Sequence, residues 1–94
     1  MTLTHGRFIS YEYDRMVVLF SMLDGNKEIP CAISTSAMDE LDGVVHARAD
    51  QREEQFMRLR ERIEACAVGK YQATEFEGAP PGIVLRSIDF RKLR

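Results

Sequence analysis

The sequence has no tryptophan, only two cysteines and no long hydrophobic segment in its 94 residues. Cys31 and Cys66 lie 35 positions apart and outside any Cys-x-x-Cys pair, which is typical of proteins from a reducing compartment. The longest uncharged apolar run, Met16–Leu23, has eight residues, whereas a helix that crosses a bilayer needs about 20. The first residues contain no apolar segment of the kind found in secretory signals. We therefore expect a cytoplasmic protein that makes no contact with a membrane.

A strong excess of charge of either sign is also absent. Thirteen basic residues oppose fifteen acidic ones, for a net charge of −2, and 45% of the residues are hydrophobic. This balance excludes the low-hydrophobicity, high-charge composition of a disordered chain. The length suits one domain, residues 1–94, which is large enough to bury a core of its own.

The first third of the chain has the pattern of three β-strands. Arg7–Tyr13 and Met16–Leu23 are rich in aromatic, β-branched and other apolar residues, and residues 29–33 alternate with a period of two. Asp24-Gly25, between the second and third segments, is a strong signal for a two-residue hairpin turn. A turn made by these two residues would place Phe20 opposite Ile29, whereas a three-residue loop would shift the register and turn Leu19 towards the helices instead.

The middle of the chain has the pattern of two helices. Ser34–Ser36 offers several N-caps for a first helix, and Gly43 is placed to end it. Asp50 begins a cap-x-x-Glu arrangement that predicts the start of a second helix, which ends at Gly69 or continues to Tyr71. The apolar stripe of this second helix consists of Phe56, Leu59, Ile63, Cys66 and Ala67.

The last part of the chain reads as a loop followed by a strand. Thr74–Gly82 contains Pro80-Pro81, which excludes a helix there, and Ile83–Phe90 has the composition of a strand. Together these patterns predict an α+β fold in the order β-β-β-α-α-β. We expect an antiparallel four-stranded sheet with both helices on one face.

Five short segments of the chain occur in an order that is known from one bacterial family. They are Asp24-Gly25, the Ile-Pro-Cys-Ala-Ile-Ser segment 29–34, the Glu-Arg-Ile-Glu-Ala segment 61–65, Lys70-Tyr71 and Asp89-Phe90. The arrangement resembles the small domain-of-unknown-function family fourteen eighty-eight over nearly the whole chain. The resemblance implies a compact α+β domain, and it implies no reaction, cofactor or catalytic residue.

No motif for catalysis, metal binding or phosphate binding is present in the sequence. Cys31 and Cys66 both lie on apolar faces of their predicted elements, where a cysteine usually packs as a small hydrophobic residue. We therefore expect no enzyme, no cofactor and no metal site. A small-molecule enzyme with a pocket beside Cys31 and His46 stays open as a weaker alternative, and a reactive Cys31 would indicate it.

The basic C-terminal segment Arg86–Arg94 supports a second alternative, a nucleic-acid-binding module. The chain has ten arginines and three lysines, and this segment alone carries a net charge of 4 − 1 = +3. The overall negative charge argues against a strong phosphate-binding surface. The side chains that would contact nucleic acid are Arg86, Arg91, Lys92 and Arg94.

The second predicted strand is apolar on both of its faces. Phe20 and its alternate neighbours form one row, and Val17, Leu19 and Leu23 lie on the other. Two helices can cover only one face of the sheet, so the second row needs another cover. Either the first strand region, the Thr74–Gly82 loop or the tail folds over it, or it is an interface with a partner. We expect the latter: a small, non-enzymatic protein-interaction module that binds another protein or, most simply, itself as a twofold homodimer.

Overall fold

The computed structural model describes residues 3–44, 47–78 and 82–91. Five of the residues singled out above lie outside these ranges: His46, Pro80, Pro81, Lys92 and Arg94. A 3₁₀ turn, Ala49–Gln51, precedes the longest helix. The strands and helices are β1 (Leu3–Glu12), β2 (Val17–Asp24), β3 (Lys27–Ser34), α1 (Thr35–Asp42), α2 (Arg52–Gln72), β4 (Ile83–Leu85) and α3 (Ser87–Arg91).

The β2–β3 hairpin is present, with its turn one residue later than predicted. Asp24 pairs with Lys27, so the turn residues are Gly25 and Asn26, and Gly25 takes the positive φ of 62° that the turn requires. Phe20 consequently lies opposite Cys31, two residues beyond the expected partner Ile29. A shift by two residues leaves each side chain on its expected face.

The sheet is mixed, and the prediction of a purely antiparallel sheet is wrong. Its strands lie in the order β1-β2-β3-β4, and β4 runs parallel to β3, with Cys31 opposite Ile83 and Ile33 opposite Leu85. A short turn forces neighbouring strands to be antiparallel, but the connection from β3 to β4 contains two helices and can return the chain in either direction. The polarity of β4 therefore depends on where α2 and the following loop leave the chain.

The C-terminal strand is also shorter than predicted, because the chain turns into a third helix after Leu85. The buried carboxylate of Asp89 accepts the backbone N–H of Arg86 at 2.8 Å and the Lys70 ammonium at 3.3 Å. Lys70 also donates to the Val84 carbonyl at 2.8 Å. The bond from the Arg86 N–H to Asp89 closes the turn at the start of α3, and the two Lys70 bonds connect this turn to α2. The observed order is therefore β-β-β-α-α-β-α.

The two predicted helices are confirmed, with small changes at their ends. Ser34 is the N-cap of α1 and accepts the Ala37 N–H, while Gly43 ends the helix with φ 71°. The second helix begins at Arg52 and continues past Gly69 to Gln72.

The core lies between one face of the sheet and the helices. On β2, Phe20 is fully buried, and its ring lies 5.1 Å from the ring of Phe56 on α2, which in turn lies 5.8 Å from Phe8 on β1. We call this face of the sheet the inner face. Its buried side chains on β2 and β3 are Val18, Phe20, Met22, Ile29, Cys31 and Ile33.

A buried ion pair joins the two helices at the edge of this core. Arg52, only 2% exposed, donates from Nη1 to Oδ1 of Asp39 at 2.7 Å and to Oε1 of Gln55 at 2.6 Å. Gln55 donates to Asp39 at 3.0 Å. Burial of Asp39 disfavours its charge, but the hydrogen bonds from Arg52 and Gln55 outweigh that effect and hold the pKa of Asp39 below its ordinary value.

Replacing Asp39 by alanine should leave the buried charge of Arg52 without its partner. We expect the free energy of unfolding in urea to fall by about 3–5 kcal/mol. Because the pKa of Asp39 is lowered in the folded protein, its stabilisation is complete above the unfolded carboxyl pKa of about 3.9 and is lost at lower pH. The difference between wild type and Asp39→Ala should therefore shrink in acid.

The control is the exposed Arg48–Asp50 pair, whose side chains are 74% and 70% exposed. Asp50→Ala should change the free energy of unfolding by less than about 1 kcal/mol. Equal effects of the two substitutions would contradict the role given to the buried pair.

Candidate functional site

The sheet face opposite the helices carries an apolar row that crosses three strands. We call it the outer face. Leu19 on β2 lies opposite Ala32 on β3, which lies opposite Val84 on β4. Val17 and Leu23 flank this row along β2. Leu19, Val17 and Leu23 are all half-buried, so this surface is neither sealed like the inner face nor fully open to solvent.

A bulge in β1 adds an isoleucine to the outer face. Phe8 lies opposite Phe20, and Ser10 lies opposite Leu19, so Ile9 is an extra residue without a partner on β2. Phe8 packs against the core, and Ile9 therefore lies beside Ser10 on the outer face, where it is 42% exposed. Sequence reasoning missed this residue because no sequence signal marks the bulge.

A polar band separates Leu23 from the rest of the apolar row. The buried hydroxyl of Ser21 accepts the Arg7 N–H at 3.2 Å and donates to the Glu28 carboxylate at 2.9 Å. Arg7 and Glu28 form an ion pair at 3.1 Å. The hydrogen bonds from Ser21 and Arg7 lower the pKa of Glu28, so its charge is retained on this face. Gly6 permits the close approach, since a Cβ there would lie 2.0 Å from the Ser21 carbonyl oxygen.

The helices pack on the other side of the sheet. Met38 of α1 and Ile63 of α2 belong to the buried cluster on the inner face, and Phe90 of α3 packs against the same cluster. Within residues 3–44, 47–78 and 82–91, no helix therefore packs over Val17, Leu19 and Leu23. In the same part of the chain, no helix is long and apolar enough to span a bilayer.

Comparison with known proteins places this sheet and these helices in one family. The family model described as "Protein of unknown function (DUF1488)" matches residues 5–82. The chain belongs to the DUF1488 family. This finding confirms the resemblance noted in the sequence, and the matched residues include most of β1 and all of β2 and β3. None of the curated proteins searched matches the chain.

A crystal structure of a DUF1488 protein of unknown function from Shewanella loihica PV-4 is similar to this fold. The TM-score is 0.71 at 18% sequence identity, and the match covers 86% of this chain and 92% of that one. The similarity shows a shared DUF1488 fold.

The basic C-terminal residues that the structure describes are engaged in ion pairs. Arg86 donates through Nη1 and Nη2 to the two carboxylate oxygens of Glu77 at 2.7 and 2.9 Å. Arg91 contacts both carboxylate oxygens of Glu40 at 3.2 Å. The pairing with Glu77 raises the pKa of Arg86 and lowers that of Glu77, as expected for two stabilised charges. Each of these two arginines is thus already paired with a carboxylate.

The two cysteines lie in the core. Cys31 is 4% exposed on the inner face and Cys66 is 3% exposed on α2. Burial raises the pKa of the Cys31 thiol to about 12 and that of the Cys66 thiol to about 11. Thiolate is the reactive form, so both groups are held in the unreactive state at neutral pH.

His5 is exposed, and its Nδ1 lies 2.5 Å from Oε1 of the buried Glu64. Arg60 pairs with the same carboxylate at 2.9 Å. Among the described residues, no group of three or more His, Cys, Asp and Glu side chains is placed to hold a metal ion.

Native cysteines should resist a thiol reagent such as a disulfide-exchange dye at pH 8. We expect reaction of Cys31 and Cys66 to be at least about 100-fold slower than in the protein unfolded in urea, because only a small fraction of buried thiol is ionised. The dye absorbance gives both rates. Rapid modification of native Cys31 would contradict this expectation and would favour the alternative of an enzyme with a pocket at this cysteine.

Proposed function

We propose that this DUF1488 chain is a cytoplasmic, non-enzymatic protein-interaction domain that forms a homodimer through its outer face. The observation that carries the proposal is the partly exposed apolar row that contains Leu19 and Ile9 on the side of the sheet away from the helices. Solvated sheet faces usually alternate polar residues with the buried row. Here β2 carries apolar residues on both faces, which is expected of a surface that is covered when the protein is assembled.

The charges on the outer face support a second copy of the chain as the partner. Arg7 and Glu28 lie on the same face, close enough for an ion pair, and both are more than two-fifths exposed. In a twofold interface each surface patch meets its own copy, so a patch that carries both signs is complementary to itself. In the proposed dimer the apolar rows pack in the centre, and Arg7 and Glu28 supply charges of both signs to the same interface.

Leu19→Glu and Phe20→Glu should have different effects, although they change adjacent residues. Leu19→Glu places a carboxylate at the centre of the proposed contact and should weaken self-association by about 100-fold or more while the monomer stays folded. Phe20→Glu places a charge in the sealed core and should unfold the protein. Light scattering at micromolar concentrations reports the mass, and circular dichroism reports the fold.

Met57→Glu is the matched control, because Met57 is a 48% exposed hydrophobic residue on α2. It should leave both the mass and the fold unchanged. A wild-type monomer at all concentrations would overturn the homodimer. If Leu19→Glu unfolds the protein as Phe20→Glu does, the outer face is internal core rather than an interface.

The nucleic-acid alternative receives less support from the described residues. Arg86 and Arg91 each face a carboxylate, so a phosphate would have to displace Glu77 or Glu40 to bind them. We expect a short duplex and a single strand to show no binding at moderate salt in fluorescence anisotropy. Binding that weakens steeply with salt, and that is lost in Arg86→Ala, would instead favour the nucleic-acid function.

A further inference from the structure

A cavity of about 330 Å³ lies among the three helices, on the side of the sheet away from the outer face. Ala37 on α1 lines it and is buried, so it forms the floor, and the half-buried Phe90 on α3 forms a wall. Ala65 on α2 also lines it, and neither alanine has side-chain atoms beyond Cβ to fill the space. The volume falls at the lower end of the range found for small-molecule sites in proteins. The cavity thus has room for a small ligand with an apolar body.

The Arg62 side chain crosses from α2 to the end of α1 beside this cavity. Its Nη1 donates to the Leu41 carbonyl at 3.3 Å, and Leu41 also lines the cavity, so the guanidinium itself lies at the mouth. Among the described residues this is its one hydrogen bond, and no carboxylate oxygen pairs with it within 4 Å. A guanidinium has five N–H groups in one plane. Because Arg62 is exposed, a ligand at the mouth can reach those that remain.

A second guanidinium reaches the neighbouring residue of α1. Arg91 on α3 contacts both carboxylate oxygens of Glu40 at 3.2 Å, and these side chains are 62% and 51% exposed. Glu40 and Leu41 are consecutive, so the contacts of Arg91 and Arg62 place both guanidinium groups at the same part of α1.

The charges of the lining do not cancel. Two arginines and one glutamate line the cavity, for a net charge of 2 − 1 = +1, whereas the whole chain carries −2. Glu40 balances Arg91, which leaves the charge of Arg62 without a carboxylate among the described residues. A ligand with one negative charge is therefore the electrostatic complement of this mouth.

We infer that this cavity binds a small monocarboxylate with a compact apolar body. The apolar body packs between Ala65 and Phe90, and the carboxylate accepts hydrogen bonds from Arg62 at the mouth. A planar guanidinium matches a carboxylate in a two-bond arrangement, which suits it better than a single charge on a flexible stem. Glu40 disfavours a second negative charge on the ligand. The site lies on the helix side of the sheet and is independent of the proposed dimer.

Cyclohexanecarboxylate, a compact apolar ring with one carboxylate, is the probe. Titrated into ¹⁵N-labelled protein, it should shift the backbone amides of residues 37–41, 62–65 and 87–91, with a Kd on the order of 1 mM for so small a ligand. Cyclohexanecarboxamide, which has the same ring and no charge, should bind about tenfold more weakly. If the carboxylate causes no shifts, or if the shifts centre elsewhere, the site is refuted. If the carboxamide binds as tightly, the carboxylate class of ligand is refuted.

Two variants at exposed positions of α2 separate the charge from the cavity, and both introduce good helix formers, so circular dichroism should be unchanged. Arg62→Gln should weaken the carboxylate by about tenfold and leave the carboxamide unaffected, because only the carboxylate depends on the charge. Ala65→Leu fills part of the cavity and should weaken both probes by about fivefold or more. Unchanged carboxylate binding in either variant would overturn the assignment.

Lys27→Gln is the matched control for the loss of one positive charge. Lys27 is exposed and lies at the end of β3 opposite to the start of α1. This variant should bind both probes like wild type. If it weakens the carboxylate as much as Arg62→Gln does, the effect comes from the net charge of the protein and the site is refuted.

Discussion

The arrangement of the helices depends on one buried ion pair. Asp39 on α1 accepts hydrogen bonds from Arg52 and Gln55 at the start of α2, and the Arg52 guanidinium lies over the Tyr11 ring of β1. A charge sealed at this depth is stable only with its partner in place, so the pair allows little variation in how α1 and α2 meet. It thereby locates α2 against the sheet, and with α2 the apolar stripe that closes the core.

Because α1 and α2 both lie on the inner face, the side chains on the outer face of the sheet are left partly exposed. The β2 strand carries apolar side chains in both directions, and the helices seal only the row that contains Phe20. Leu19 and its neighbours remain half-buried on the other side. The proposed dimer contact and the core are thus two faces of one strand, and the distinction between them comes from the position of the helices rather than from the strand.

Local patterns account for the parts of the fold that sequence reasoning predicted. Ser34 caps α1 and Gly43 ends it because each satisfies backbone groups within a few residues. The row of Val17, Leu19 and Leu23 was predicted for the same reason, since alternation along a strand assigns side chains to faces. The turn at Gly25-Asn26 was misplaced by one residue, because Asp24-Gly25 and Gly25-Asn26 are both pairs that two-residue hairpin turns accept. Ile9 and the Arg52–Asp39 ion pair were missed, since a bulge and a contact between distant segments leave no periodic signal.

By itself, the sequence determined the elements whose stabilising contacts are local: the β2–β3 hairpin, the first helix with its caps Ser34 and Gly43, the second helix without its caps, and the two-sided apolar character of β2. Tertiary structure alone decided that β4 runs parallel to β3, that the chain after Leu85 turns into a helix around Asp89, and that Arg52 meets Asp39. The physical reason is the same in each case. These features depend on contacts between residues far apart in the chain, such as Lys70 with Asp89, whose geometry exists only after the helices have packed on the sheet.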